Sequence, residues 1–509
     1  MPEMDGVETA RAIRACVGAD VPIIILSAYD WTDIEEETSA AGVNKHIANP
    51  LDLSVLARVL KVLMNHRSLV ADLNVSRSIL PQDYQFQNWN NGLLKGTVQI
   101  TRKDSSSTVL LYGMGGIWQT DDEEKTFTER NAGLPVGADY RNIRNLVQMP
   151  DGSVFAAGLF GLYRLGTEEW QQVPFCSETL RLSDLAARGD TLVVVGRSHL
   201  YTAVPPNQDF QQVELKAAPD YTGKVTLFRT MWLIHSGEIW GTAGKILMDV
   251  VALVLIFLIV TGWLFWALHR PINLRRWNFK WHNLVGRKTI ILTIFIAFTG
   301  WCLRPPLLIP LAITKTAPIP GSELDSPNAW HDKLRCLRFD AQQNSWLLST
   351  SEGFYSLQSL SSRPIALEGA VPPVSVMGLN VLEQQPDGTW VAGSFSGMYA
   401  WDRNTGSVTD FFTGESAQGQ RGAPVGQRSI SGYTRHFGQP AAVEYGAGTT
   451  VVAQPDEMRT LPMSLWALSL EVHVGRIYTW LGGLTGFYVF LAGLLALWVL
   501  WSGWKIRKR

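Results

Sequence analysis

Charge is scarce in this sequence. Charged residues make up 17% of 509 positions, against about 25% in an ordinary soluble protein. Lys+Arg 44 and Asp+Glu 45 leave a net charge of -1, so no basic excess calls for nucleic acid. Cysteine is nearly absent. Cys16, Cys176, Cys302 and Cys336 include no C-x-x-C pair, which argues against a disulfide framework, a zinc finger and a cysteine-held cluster. Cys176 with Cys336 leaves one disulfide open, unsupported by spacing. Also lacking are a Gly-rich phosphate loop, a nucleophile elbow and H-E-x-x-H. Hydrolase and NTPase chemistry therefore have no residues to rest on. The apolar share, 46%, is ordinary. Low charge at ordinary hydrophobicity puts part of the chain in lipid, and the length allows about three domains.

Three runs are apolar enough to span a bilayer, which takes ~20 residues. They are Ile246 to Leu268, Thr289 to Ile313, and Ile477 to Trp501. The second is interrupted by Arg304-Pro305-Pro306, where the proline pair ends or kinks a helix. The segment 269–288 carries six Lys/Arg and no acid, and the C-terminus reads Lys505, Arg507, Lys508, Arg509. The positive-inside rule places both in the cytoplasm. Residues before Ile246 and those of 315–470 then lie outside. Trp263, Trp266, Trp301, Trp498, Trp501 and Trp504 fall near the expected membrane edges. No signal peptide or earlier span precedes the first outer segment. The expectation is a helix missing upstream of about residue 75, or a join of two unrelated pieces.

The two outer segments resemble each other. VQMPDGSVFAAGLFGLYRL (147–165) parallels LEQQPDGTWVAGSFSGMYAWD (382–402). Pro-Asp-Gly between two apolar runs is hairpin chemistry. Related units near 108–130, 180–203, 335–358 and 428–452 give about three strand-rich units per half. Short repeated sheets with Gly and aromatic punctuation predict propeller blades, about six in one ring, with two β-sandwiches as the alternative. The duplication runs on: His235 to Gly244 and His473 to Gly482 share H-x-G-x-I-[WY]-x-x-x-G at a constant offset of 238, each before a span.

These patterns carry family resemblances. The His-Gly segments, Trp281-His282-Asn-Leu-Val-Gly286, and the Thr-Gly-Trp triplets at 261–263 and 299–301 resemble the PepSY-associated transmembrane proteins of bacterial inner membranes. The resemblance covers about 225–509, with propeller-like repeats from about 80. It implies a link to iron acquisition, with some members haem-containing reductases of ferric siderophores. The stretch 115–135 is similar to Asp-box and two-component-type propeller repeats. Residues 1–66 resemble the C-terminal part of a two-component receiver: MPEMDGVETARAIRA, VPIIILSAYD with Ser27 as the switch hydroxyl, and AGVNKHIANPLDLSVLARVLKVLM. In that family the phosphoacceptor Asp precedes the Met of MPEMDG, and here that position lies before Met1. The metal pocket is also lacking, and Asn49 stands where the family has Lys. The fragment reads as non-catalytic.

Four of nine histidines flank the spans: His235, His269, His282 and His473. His235 and His473 occupy equivalent outer positions that pseudo-two-fold packing would bring together. His269 and His282 fall on the inner side. Neutral imidazole is a good axial ligand, so two pairs on opposite faces suit b-type haem, as haem-iron ligands rather than a separate metal site. Membrane anchoring by His, and helix packing at Gly237 and Gly475, are the plain alternatives. His199, His331 and His436 show no ligand spacing, and Asp121-Asp122-Glu123-Glu124 reads as a solvated turn.

The expected class is mixed: membrane helices, an all-β propeller-like periplasmic region in two repeat halves, and an N-terminal partial α/β fragment. The order is 1–68 receiver fragment, 69–80 junction, 81–230 first half, 231–268 His-Gly segment and first helix, and 269–288 basic cytoplasmic loop. Then follow 289–313 second helix, 314–468 second half, 469–504 His-Gly segment and third helix, and 505–509 basic tail. The expected work is electron transfer through haem b to a periplasmic ferric siderophore-type substrate. With no flavin or nicotinamide domain, electrons would come from a cytoplasmic partner or a quinol. Membrane lipid is the other partner. The alternatives are a non-enzymatic anchored propeller that binds an envelope ligand, and a phosphorelay component resting on the N-terminal fragment.

Overall fold

The computed structural model describes residues 74–506 except 82–83, 102–105, 121–125, 175–180, 207–208, 268–271, 376 and 424–425. Of the first 73 it describes 6–17, 23–27, 40–41, 43 and 45–48. There a helix, α1 (Gly6–Val17), lies near two parallel strands, Ile24–Ser27 and Lys45–Ala48. Asn49 and the last helix expected of a receiver fall outside the described residues, as does the acidic run 121–124.

Among the described residues, six antiparallel sheets make up the β region. Five have four strands and the sixth has two, and within each the strands pair in chain order. Their outer limits are 96–129, 143–173, 182–213, 334–366, 379–410 and 430–444, three to each half. The two Pro-Asp-Gly motifs form the expected hairpins. Gly152 (φ 85°) and Gly388 (φ 88°) take the left-handed backbone, while Asp151 and Asp387 accept from Ser153 N and Thr389 N, both at 2.9 Å.

Most sheets are covered on both faces, so their central strands read as unbroken apolar runs such as Val193-Val194-Val195. The buried clusters fall between successive sheets. Leu192 and Val194 pack towards the second sheet, Val193 and Val195 towards the fourth. First strands of successive sheets touch, and Ile430–Thr434 of the last touches Gly96–Thr101 of the first. Tyr433 N donates to Lys95 O (3.1 Å) there, and Thr97 and Thr434 hydroxyls meet at 2.9 Å. A Cβ on Gly432 would lie 2.4 Å from Leu94 O, so this strand approaches too closely for any side chain.

Two-residue ribbons join the halves: 225–226 pairs with 315–316, and 463–464 with 74–75. Each ribbon leads into a capped helix. Thr226 caps α2 (Leu227–Ser236) by accepting from Arg229 N, and a later helix, Leu465–Val474, is capped by Ser464 accepting from Ala467 N. Both helices end on a left-handed glycine, Gly237 (φ 78°) and Gly475 (φ 82°), the usual C-terminal stop.

After α2 come α3 (Gly241–Ala267), α4 (Ile272–Cys302) and the short α5 (Leu308–Ile313). The capped helix Leu465–Val474 is α6, and α7 is Thr485–Ile506. Among the described residues, three stretches are long and apolar enough to cross a membrane: Glu238–Ala267, Ile272–Cys302 and Leu465–Lys505. Large apolar side chains such as Leu253, Ile259, Phe487 and Leu495 stay exposed along them, as a lipid-facing surface requires. The second helix stops at Cys302, ahead of the proline pair as expected. The segment 269–288 departs from its reading as a loop. From Ile272 it is helix continuous with the span, its 31 residues covering ~46 Å. Basic residues form helices readily, and Asn278, fully buried, ties this extension to α3 by donating to Thr261 O (2.7 Å).

Candidate functional site

The duplicated His-Gly segments bring His235 and His473 together. Each sits in the last turn of its capped helix, α2 or α6. Their ring centroids are 5.9 Å apart and the planes differ by 20°. His235 is fixed from α4. Its Nδ1 lies 3.2 Å from Ile296 O and 3.3 Å from Thr299 Oγ1. A carbonyl only accepts, so the proton is on Nδ1 and Nε2 keeps its lone pair. Thr299 Oγ1 donates to Ile296 O (2.8 Å) and so also faces the ring as an acceptor. Gly300 supplies room: a Cβ there would lie 2.5 Å from His235 Cε1. Trp301, completing the triplet, packs into α7, where its Nε1 donates to Phe490 O (3.2 Å) beside Gly493. Arg304 reaches towards the His473 carbonyl at 3.5 Å.

The other triplet repeats the device. Thr261 Oγ1 donates to Phe257 O (2.6 Å) and accepts from His282 Nδ1 (2.8 Å). Gly262 faces the same ring, with a Cβ position 3.6 Å from its Cε1. His282 is thus held by α3, again with Nε2 free. His269 lies outside the described residues, so no geometry joins it to His282. The sequence pairs these triplets with no task. Their hydroxyl and glycine, set against a histidine distant in sequence, become meaningful only when the helices pack.

The glycines of the repeated pattern differ in role. Gly237 and Gly475 are the helix stops, and Gly237 also packs against Gly244, where a Cβ would meet Gly237 O at 2.0 Å. Gly482, the sequence match of Gly244, has open space around it and sits at a kink (φ 51°, ψ -130°). Its conformational counterpart is Gly241 (φ 56°, ψ -134°). The pattern therefore aligns the two halves at the histidines and slips by three residues at the helix start.

The His helices are braced against the β region. Arg229 of α2 and Arg197 of the third sheet both pair with Asp332. In α6, buried Glu471 accepts from Tyr84 and pairs with Arg476. Three of the other histidines stand apart: His436 Nδ1 meets Thr97 Oγ1 (2.7 Å), His331 lies 4.0 Å from Glu323, and His199 faces Tyr201. Cys336 is a buried thiol, and Cys176, its open disulfide partner, lies outside the described residues.

Among the described residues, no three of His, Cys, Asp and Glu converge as a metal site. Two facing imidazoles are the protein ligand set of a six-coordinate haem. These two rings stack at 5.9 Å with planes 20° apart, the His235 Nδ1 is held by Ile296 O, and Gly300 makes room for the His235 ring.

Residues 106–270 match the family model of the PepSY-associated TM region. That match, with the three membrane-length helices among the described residues, supports a membrane protein. The match runs from the first sheet through α3 and includes His235 and both its glycines. The second half, with His282 and His473, lies beyond the matched residues. No curated protein matches the chain. Among solved structures it is similar to the extracellular domain of a putative hybrid two-component system from B. thetaiotaomicron: 9% identity, 71% of this chain and 30% of that one, TM-score 0.32. It is also similar to an ancestral GH74 enzyme (10%, 70% and 35%, 0.31). PorZ, a surface component of the type-IX secretion system of Porphyromonas gingivalis, is a third (12%, 71% and 32%, 0.30). The chain spans about a third of the length of each of these.

Proposed function

We propose that this PepSY-type protein carries electrons across a bacterial inner membrane, through b-type haem, to a ferric substrate on the outer side. The observation that carries the reading is the His235–His473 pair, parallel within 20° at 5.9 Å, with Nδ1 of His235 occupied by Ile296 O. A haem supplies one-electron redox chemistry when bound. The chain's own residues do the rest. His235 and His473 would hold the outer haem, and the Ile296 carbonyl and Thr299 hydroxyl hold the His235 tautomer. His282, oriented by Thr261, would hold the inner one, with His269 as the candidate partner. A second-shell bond of this kind fixes ring orientation and raises ligand basicity.

The reading takes the six sheets as one propeller standing in the periplasm, supported by the return contact of the sixth sheet to the first. The basic helical extension of α4 and the Lys505 end of α7 then face the cytoplasm. The test is purification from haem-replete cells. A Soret band and a pyridine haemochrome are expected, with the chromophore lost in His235→Ala and His473→Ala. The reduced protein should be reoxidised by a ferric chelate. Haem-free protein would end the reading and leave an anchored binding protein.

A further inference from the structure

The first strands of the sheets converge on a recess that the electron path does not use. It encloses about 30 Å³, is lined from five sheets and is strongly basic. Lys95 leads into the first sheet, Arg144 comes from the second, and Arg335 and Arg338 from the fourth. Two carboxylates face them, Asp184 and Glu383. Asp184 is already committed: it pairs with Arg338 and accepts from Asn145 Nδ2 (2.8 Å) and Leu337 N (3.0 Å). Burial pushes the Glu383 carboxyl up, against the pull of Arg338 and Arg435. Among the described residues, Lys95, Arg144 and Arg335 form no ion pair. Arg335 reaches only the Leu334 carbonyl (3.0 Å).

Holding like charges together away from water is costly. Burial, then Arg144, pushes Lys95 down to about 8; burial, then Arg197, pushes Arg335 to about 9 and Arg144 to about 10. An oxyanion would offset the repulsion and accept the forked N–H groups of the guanidiniums.

We propose that this recess binds an oxyanion group, carboxylate or phosphate, presented by a ligand that enters along the axis of the sheets. Its volume holds a head group the size of one or two waters, not a whole chelate. The ligand's body would project towards Arg197, Arg229 and Asp332, whose charges act on Arg335. Arg229 sits six residues before His235 on α2, ~9 Å along the helix. Resting on the proposed function for this one step, the substrate class is a ferric carboxylate chelate of net negative charge.

The test uses the full chain in detergent at pH 7 and fixed ionic strength, titrated with sodium citrate or inorganic phosphate. Both Tm and calorimetric heat are read. A saturable response is expected, weakened about tenfold or more in Arg144→Gln and Arg335→Gln. Arg144→Lys should keep measurable binding, and both Gln variants remove an unpaired cation, so they should fold. Stronger binding of citrate supports the carboxylate step; stronger binding of phosphate supports the site but overturns that step. His235→Ala should bind citrate like the wild type, so loss of haem leaves this inference standing. A response no larger than that to sodium chloride, or wild-type affinity retained in both Gln variants, overturns it.

Discussion

Replacing Gly300 by Ala probes the histidine pair directly. The new methyl would lie 2.5 Å from His235 Cε1 and 3.1 Å from both ring nitrogens. Ordinary carbon contacts are ~3.5–4.0 Å, so the ring must retreat by about 1 Å. Retreat breaks the Nδ1 contacts to Ile296 and Thr299 and alters the 5.9 Å spacing to His473. Overpacking of this kind costs ~1–3 kcal/mol, partly offset by ~0.5–1 kcal/mol because Ala suits a helix better than Gly. The matched control is Gly262→Ala, whose methyl would sit 3.6 Å from His282 Cε1, an ordinary contact. That variant should be as stable as the wild type or slightly more so. The assay is haem per protein with the visible spectrum, and Tm in detergent as a readout free of haem. Gly300→Ala should lose haem or shift from six- to five-coordinate spectra, with a lowered Tm. A Gly300→Ala protein with wild-type spectrum and Tm, or a Gly262→Ala protein equally damaged, would refute the argument.

Asp332→Asn removes the shared counter-charge of Arg197 and Arg229 and should destabilise the protein by about 2 kcal/mol, given the partial exposure of all three. Burial raises the Asp332 carboxyl, but the two guanidiniums outweigh it and hold it below its usual range. Its contribution is therefore complete above pH ~4 and fades as pH falls; the Tm gap between variant and wild type should narrow in acid. Gly432→Ala drives a methyl onto Leu94 O and Lys95 O, backbone atoms that cannot swing aside. It should cost ~3 kcal/mol or more and open the junction of first and last sheets, read as faster amide exchange in 96–101. Unchanged exchange there would count against ring closure. Lys95→Met should stabilise the protein at pH 6.5. The folded-state value near 8 lies below the model-peptide 10.5, so the penalty is complete below pH 8 and is relieved between about 8 and 10.5. The Tm advantage of the variant should shrink at pH 9.5, where Arg144, Arg335 and Arg338, with Asp184, Glu383, Tyr112 and Cys336, remain the facing groups.

Much was legible in the linear sequence because it depends on local pattern. Apolar runs of bilayer length, Pro-Asp-Gly turns and a repeated His-x-Gly are written within a few residues, and all have structural counterparts here. The basic stretch 272–288 misled because charge marks the side of a membrane and not the end of a helix. The repeated glycine pattern misled at Gly482, since equal letters three residues out of phase take different conformations.

What only the tertiary structure decided is which distant residues meet. Thr299 and Gly300 acquire a role because α4 packs across α2, and Thr261 and Gly262 because α3 packs across α4. Lys95, Arg144 and Arg335 are isolated charges in the sequence, and become a basic recess only where five sheets meet. A chain's local pattern fixes which segments become strands and helices; hydrogen bonds, charge repulsion and methyl-sized clashes act through space, and so wait on packing.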